Sequence, residues 1–207
     1  MFVVVLLGYF LGCLNGSVLV SHFIIRDDVR QHGSGNAGLT NFYRTYGAKY
    51  ALGVILLDMG KTVAACLIGG VILNYLAGDW TLGVLLGGLG SELGHMFPVF
   101  FGFKGGKGVL VGAGAALATE PLVCAVLLGI FLIEVAVTRI VSLGSIIIAA
   151  LYPAGTLINL IARGANLPTI LFSTICCVIM AAMVIWLHRS NIERLKNGTE
   201  YRFGQKK

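Results

Sequence analysis

The sequence predicts an all-α polytopic membrane protein with seven transmembrane helices, the fourth short, its N-terminus outside and its C-terminus cytoplasmic. Three observations predict it. First, 57% of the 207 residues are hydrophobic and only 12% are charged, about half the charged fraction of a soluble domain, too little to cover a globule in water. Second, apolar runs of membrane-crossing length recur along the chain, and no ten-residue alternating pattern of a barrel strand is present. Third, the basic residues cluster beside those runs, on one side of the membrane for one choice of topology.

A crossing helix needs roughly 20 apolar residues. Clear spans are 2–25, 50–73, 81–101, 120–137, 143–161 and 168–187. The first has no basic region before it and no small-residue cleavage site, so it reads as a retained span rather than a signal peptide. Between the third and fourth lies Val109 to Ala118, ten residues of Val, Leu, Gly and Ala, which cover about half the hydrocarbon core. If this segment crosses, 13 of the 15 Lys and Arg residues fall in four inner segments, 26–49, 102–108, 138–142 and 188–207. Only Arg163 is then outside, and Lys61 lies within the second helix. If it does not cross, seven of those thirteen move outside, against the positive-inside rule. Seven crossings follow, and residues 1–207 read as a single integral-membrane domain.

The net charge of +6 sits beside apolar spans rather than along a solvated stripe, which points to the bilayer surface or anionic substrates and away from nucleic acid. Cys13, Cys66, Cys124, Cys176 and Cys177 all lie in apolar stretches without Cys-x-x-Cys spacing, so they read as buried hydrophobes, neither disulfides nor metal ligands. The 29 glycines suit close helix packing in lipid.

The four inner segments carry the polar chemistry. Residues 32–44 read His-Gly-Ser-Gly-Asn-Ala-Gly-Leu-Thr-Asn-Phe-Tyr-Arg. Gly33, Gly35 and Gly38 permit tight turns that expose backbone amides to an anion. Ser34, Asn36, Thr40 and Asn41 add short hydrogen-bonding groups, and Arg44 adds a fork suited to phosphate. The second segment places Lys104-Gly105-Gly106-Lys107-Gly108 directly before a helix, whose N-terminus favours phosphate; the Walker pattern Gly-x-x-x-x-Gly-Lys-Ser/Thr is absent. The third carries Arg139, Ser142 and Ser145, which drift by about 60° per step if helical and so line roughly one side. In the fourth, His188, Asn191 and Arg194 fall at the spacing of a short amphipathic helix. Taken singly, each is also an ordinary turn, snorkelling arginine or stop-transfer cluster. Jointly, four phosphate-suited inner loops face plain outer ones, Asn74 to Trp80, Thr119-Glu120-Pro121 and Ala162 to Leu167.

Within the spans, Asp58 and Lys61 share a face and read as a pair. Glu92 and His95 repeat that spacing as framing for the site, and Glu134 lies one turn before Arg139. His22-x-x-x-x-Asp27 matches the His/Asp signature of soluble-type acyltransferases. On a continuous helix that pair lies about 140° out of phase and cannot meet, and no Phe-Pro-Glu-Gly companion exists.

Gly33-Ser-Gly-Asn-x-Gly-x-Thr-Asn-x-x-Arg44, Gly94-His-x-Phe-Pro-Val-Phe with Phe103-Lys-Gly-Gly-Lys-Gly108, Arg139-x-x-Ser142 and His188-Arg-x-Asn-Ile-x-Arg-Leu195 together resemble the bacterial acyl-phosphate:glycerol-3-phosphate acyltransferases (the PlsY type), in order and through nearly the whole chain. Ala37 stands where that family often has proline, and Thr62 where glycine is usual; neither change removes a charged or hydroxyl group. The resemblance implies an integral enzyme of phospholipid biosynthesis in the bacterial plasma (inner) membrane, multi-pass, with its active site facing the cytoplasm. It implies transfer of a fatty acyl group from acyl phosphate to the 1-hydroxyl of glycerol 3-phosphate, with no cofactor, no metal and no acyl-CoA or acyl-carrier protein as donor.

On that basis Ser34, Arg44, Lys104, Ser142 and His188 are the expected catalytic residues. Gly33, Asn36, Thr40, Asn41, Gly105, Gly106, Lys107, Gly108, Arg139 and Asn191 are the expected substrate-binding ones. A transporter of a phosphorylated metabolite is the rival reading, disfavoured because no internal repeat is visible and the polar groups crowd one face.

Overall fold

The structure, a computed structural model, describes residues 1–205; Lys206 and Lys207, counted above among the basic residues of the last inner segment, lie outside the described residues. Ten α-helices of five residues or more are present among the described residues: α1 Phe2–Gly12, α2 Gly16–Val20, α3 Leu39–Tyr46, α4 Ala51–Ala77, α5 Trp80–Met96, α6 Val109–Thr119, α7 Pro121–Thr138, α8 Val141–Ala162, α9 Leu167–Leu187 and α10 Arg189–Lys196. Six segments are long and apolar enough to cross a membrane: Phe2–Ile25, Ala51–Ala77, Trp80–Phe101, Pro121–Thr138, Val141–Ala162 and Leu167–Leu187. They are the six clear spans of the sequence. Val109–Thr119, the short one, is a helix of 11 residues, about 16 Å long.

Packing divides the chain into two compact units, one of residues 1–119 and one from Glu120 onward. In the first, α5 packs against α1 and α4, and α6 against α4 and α5. Glycine makes the α4–α5 approach possible: Gly69 and Gly83 face each other so closely that a methyl on either would collide with the other's carbonyl. In the second unit, α8 packs against α7 and α9. Many large apolar side chains are exposed, Val137 at 78% and Leu122 at 68% among them, whereas Asp58, Glu92 and His95 are buried. Apolar residues outside and charge inside is the arrangement lipid favours.

The first span is not the continuous helix expected over 2–25. It breaks between Gly12 and Gly16, where the Asn15 side chain caps α2 by accepting the Val18 amide at 3.0 Å. The break frees the carbonyls of Gly12 and Leu14, and both take the Lys61 ammonium, at 2.9 and 2.8 Å. Beyond α2 the chain forms a π-turn over Ser21–Ile25 and stops at Arg26, in the left-handed region.

Candidate functional site

Residues 26–46 fold as a turn-rich loop closed by α3. Gly33 and Gly35 both have positive φ, 59° and 70°, the conformation that a side chain resists. Asn41, expected among the substrate-binding residues, also shapes this loop. Its carboxamide oxygen accepts the Ser34 amide at 2.9 Å, and its nitrogen donates to the carbonyls of Val29 and His32 at 3.1 and 3.0 Å. Buried in α3, it braces the loop from beneath. Ser34 and Thr40 are exposed, Asn36 is half-buried, and Arg44 lies in the last turn of α3. Asn15 adds a second brace, donating to the Ala37 carbonyl at 3.0 Å.

His22 and Asp27 do not form an acyltransferase dyad: the helix ends between them at Arg26, and Asp27 pairs with His32 at 2.9 Å. That contact holds the Asp27 carboxyl below its usual range, and the Tyr46 phenol is pushed up to about 12 by burial and then by Asp27. Arg30, which sequence reasoning passed over, ties the loop to the second inner segment. Its guanidinium pairs with Asp28 at 2.9 Å, donates to the Phe101 carbonyl at 3.3 Å and lies 5.5 Å from the centre of the Phe101 ring. Phe101 also packs on the core of Val18, Val29, Phe42 and Val54. The two glycine-rich loops of this unit are therefore neighbours.

The second loop leaves α5 where Pro98 prevents helix continuation. Lys104 is exposed, Gly105 and Lys107 are half-buried, and Gly106 and Gly108 are buried. Gly106 donates its amide to the His95 carbonyl at 3.1 Å, and a methyl there would run into the His95 ring. Gly108 has φ of 87°, and α6 starts at the next residue, so the loop delivers the lysines to a helix N-terminus.

Beneath it, Asp58, Lys61 and His95 meet. Lys61 Nζ is 2.7 Å from Asp58 Oδ1 and 3.1 Å from His95 Nδ1, and Asp58 also accepts the Gly16 amide at 2.9 Å. The expected Asp58–Lys61 pair is present, and His95 joins it. Glu92 does not pair with His95: it is wholly buried, neither carboxylate oxygen has a hydrogen-bond partner, and one oxygen faces Gly108 and Gly112.

In the second unit, Arg139 is not on a helix start as the serine spacing implied. It sits at the turn between α7 and α8 with φ of 62°, beside a cleft of about 480 Å³ lined also by Thr138, Arg202 and Phe203. Its carbonyl accepts the Phe203 amide at 2.6 Å. Glu134, placed one turn earlier, takes the Thr138 hydroxyl at 2.6 Å. Ser145 donates to the Val141 carbonyl of its own helix.

Ser142 and Asn191 converge on a residue the sequence reading missed. Ser142 Oγ donates to Glu200 Oε1 at 2.8 Å, Asn191 Nδ2 donates to the same oxygen at 2.7 Å, and Arg194 Nε donates to Glu200 Oε2 at 2.6 Å. Burial by itself raises the Glu200 carboxyl; the bonds from Asn191, Ser142 and Arg194 outweigh it and hold the group below its ordinary range. His188 closes α9, and its Nδ1 lies 2.8 Å from the Val184 carbonyl. A carbonyl only accepts, so Nδ1 carries a proton, and in the neutral ring Nε2 has the lone pair. As expected, α10 forms over Arg189–Lys196. The turn at Glu120, expected to be a plain outer loop, is less plain than its sequence: Glu120 is buried and accepts from Thr156 and Asn159 of α8, at 2.5 and 2.8 Å. No group of three or more His, Cys, Asp or Glu side chains able to hold a metal ion gathers among the described residues.

Comparison with known proteins adds three findings. A family model described as Glycerol-3-phosphate acyltransferase matches residues 2–198. A glycerol-3-phosphate acyltransferase of Shouchella clausii is 40% identical over 204 residues, covering 98% of this chain and 95% of its own, and one of Syntrophomonas wolfei is 41% identical over 200 residues, covering 97% and 95%. Crystal structures of PlsY (YgiH), an integral membrane glycerol 3-phosphate acyltransferase, match in the glycerol 3-phosphate form with a TM-score of 0.81 at 35% identity, and in the lysophosphatidic acid form with 0.80 at 34%; each covers 98% of this chain and 95% of that one.

Proposed function

The chain belongs to the glycerol-3-phosphate acyltransferase family, and from that premise we propose that it transfers a fatty acyl group from acyl phosphate to the 1-hydroxyl of sn-glycerol 3-phosphate. It is an integral membrane acyltransferase of phospholipid biosynthesis. The acyl carbon exchanges its bond to the phosphate oxygen for a bond to the glycerol oxygen. The glycerol proton ends on the released phosphate, and 1-acyl-glycerol 3-phosphate (lysophosphatidic acid) leaves.

The observation that carries the acyl-phosphate donor is the pair of neighbouring glycine-rich basic loops, joined through Arg30 and Phe101. Two loops suit two phosphorylated substrates. The amides of Gly105 and Gly108 and the Lys107 ammonium hold the acyl phosphate at the N-terminus of α6, and Gly106, its amide tied to the His95 carbonyl, seats the turn that presents them. Ser34, Arg44, Lys104, Arg139, Ser142 and His188 hold glycerol 3-phosphate, and Asn36, Thr40 and Asn191 serve both. Gly33 shapes the first loop and Asn41 braces it. Phosphate is a good leaving group, so positioning and charge neutralisation supply most of the rate. The hydroxyl proton passes to His188 Nε2 or directly to a substrate phosphate oxygen.

The 207 residues act as one integral-membrane domain with seven crossings, α6 being the short fourth. The N-terminus is outside, the C-terminus cytoplasmic, and the active site faces the cytoplasm of a bacterial inner membrane. The concentration of basic residues in four segments supports this. Purified protein incubated with acyl phosphate and glycerol 3-phosphate is expected to release phosphate and form lysophosphatidic acid, with no product from acyl-CoA. Product from acyl-CoA alone would refute the donor. Single cysteines at 107 and 139 labelled from opposite sides of the membrane would refute the topology.

A further inference from the structure

The Asp58–Lys61–His95 cluster lies beneath the glycine-rich loop and has no part in the reaction as described. All three residues are buried, with 1%, 8% and 3% of their surface exposed. They come from two different helices, and the cluster is completed by the break in the first span. Lys61 Nζ reaches four groups: the carbonyls of Gly12 and Leu14, Asp58 Oδ1 and His95 Nδ1. Two carbonyls and a carboxylate can only accept, so Lys61 donates to them, and its three protons serve the four groups only with one of them shared. A proton on His95 Nδ1 would point at an ammonium 3.1 Å away, with Asp58 Oδ1 as its alternative only at 3.5 Å. Nδ1 is therefore the acceptor, and the ring proton sits on Nε2, an assignment made from the hydrogen-bond network.

That nitrogen is the edge of the ring turned toward the loop. Of the atoms a methyl on Gly106 would strike, His95 Nε2 is the nearest, and the Gly106 amide is bonded to the His95 carbonyl. A methyl on Gly105 would strike the same carbonyl and the Pro98 ring. The turn thus lies flat on His95, both main chain and side chain.

We propose that His95 is a positioning residue for the Gly105–Gly106 turn, locked by Lys61 in the tautomer that carries its proton on Nε2 and presents that edge to Gly106. The inference rests on the reading that this turn holds the acyl phosphate. A buried ion pair is poor value as a stabiliser; here it fixes the orientation of a ring on which a substrate-holding turn is seated. Asp58 and the carbonyls released at Gly12 and Leu14 hold Lys61, Lys61 holds the imidazole, and the imidazole sets the height of the Gly106 amide.

The test uses the full-length protein in detergent. His95→Asn keeps an acceptor for Lys61 and deletes the Nε2 edge. It is expected to raise KM for acyl phosphate about tenfold, with KM for glycerol 3-phosphate unchanged within about twofold. His95→Gln, whose amide reaches the Nε2 position, is expected to recover part of that loss. Gly106→Ala serves as the control for the underlying reading. If it leaves the acyl-phosphate KM unchanged, the turn does not hold the donor. If Gly106→Ala raises KM and His95→Asn does not, the turn holds the donor and His95 does not position it. Both KM values rising together in His95→Asn, with a lowered unfolding temperature, would mark a merely structural residue and overturn the proposal. Independently, ¹⁵N NMR of histidine-labelled protein is expected to show one imidazole with an unprotonated, hydrogen-bonded Nδ1 that is lost in Lys61→Met. The opposite tautomer, or a doubly protonated ring, would also overturn it.

Discussion

Ser142 donates its hydroxyl to the Glu200 carboxylate at 2.8 Å, across 58 residues of chain. A residue expected to meet substrate thus has a fixed protein partner, which Asn191 and Arg194 share. Glu200→Ala leaves three donors without their acceptor and is expected to cost about 1–3 kcal/mol of stability while misplacing Ser142 and Asn191. Thermal unfolding in detergent checks the first effect and the acyltransferase assay the second. Wild-type stability and activity in this variant would show that the contact is incidental.

The same carboxyl gives a pH dependence with a definite sign. Its folded pKa is lowered, so the folded state binds the proton more weakly than the unfolded one. Its stabilisation is present above the ordinary glutamate value of about 4.3 and is lost as pH falls through the lowered folded value. The difference in unfolding temperature between wild type and Glu200→Gln should be constant above about pH 5 and shrink toward zero in more acid solution. A difference that grew as pH fell would reverse the assignment.

Asn41 both accepts and donates, and the two halves can be separated. Asn41→Asp can still accept the Ser34 amide, but it sets a carboxylate against the Val29 and His32 carbonyls. Both Asn41→Asp and Asn41→Ala are therefore expected to lose activity by about tenfold or more through distortion of the Gly33–Asn36 turn. Full activity in Asn41→Asp would mean that the brace is dispensable.

Breaking the buried pair should cost more than removing it. Lys61→Met strands the Asp58 carboxylate and is expected to destabilise by about 3–5 kcal/mol. Adding Asp58→Leu removes the stranded charge and should restore part of that loss. Unfolding midpoints of the two single variants and the double variant form the cycle, and simple additivity would argue against coupling.

For the chemistry itself, Lys104→Ala and Arg44→Ala are expected to reduce turnover by about a hundredfold or more with insertion and unfolding temperature preserved, since Lys104 is exposed and Arg44 ends a surface helix. His188→Ala separates the two proton routes. If His188 is the base, the loss of kcat is largest at high pH, where its imidazole is neutral, and the acid limb of the wild-type profile disappears; if the substrate phosphate is the base, the acid limb persists in the variant.

How far the sequence reached depended on the range of the signal. Hydropathy placed all six long spans to within a few residues, and composition marked the glycine loops, because lipid burial and backbone freedom are properties of local sequence. The break after Gly12 escaped it, since that stretch stays apolar and only Asn15 hints at a new cap. Arg139 was assigned to a helix because periodicity cannot see a single left-handed residue.

Sequence alone determined that this chain lives in a bilayer, which segments are helical and which loops carry phosphate-suited groups. Each of those follows from the side chains present within one or two turns. Only the tertiary structure decided that Asn41 braces a loop from beneath, that Lys61 answers carbonyls about 50 residues earlier in the chain, and that Glu200 gathers Ser142, Asn191 and Arg194. Those are choices of partner between distant segments, and a polar group's partner is fixed by what packing brings within about 3 Å of it, which no local pattern encodes.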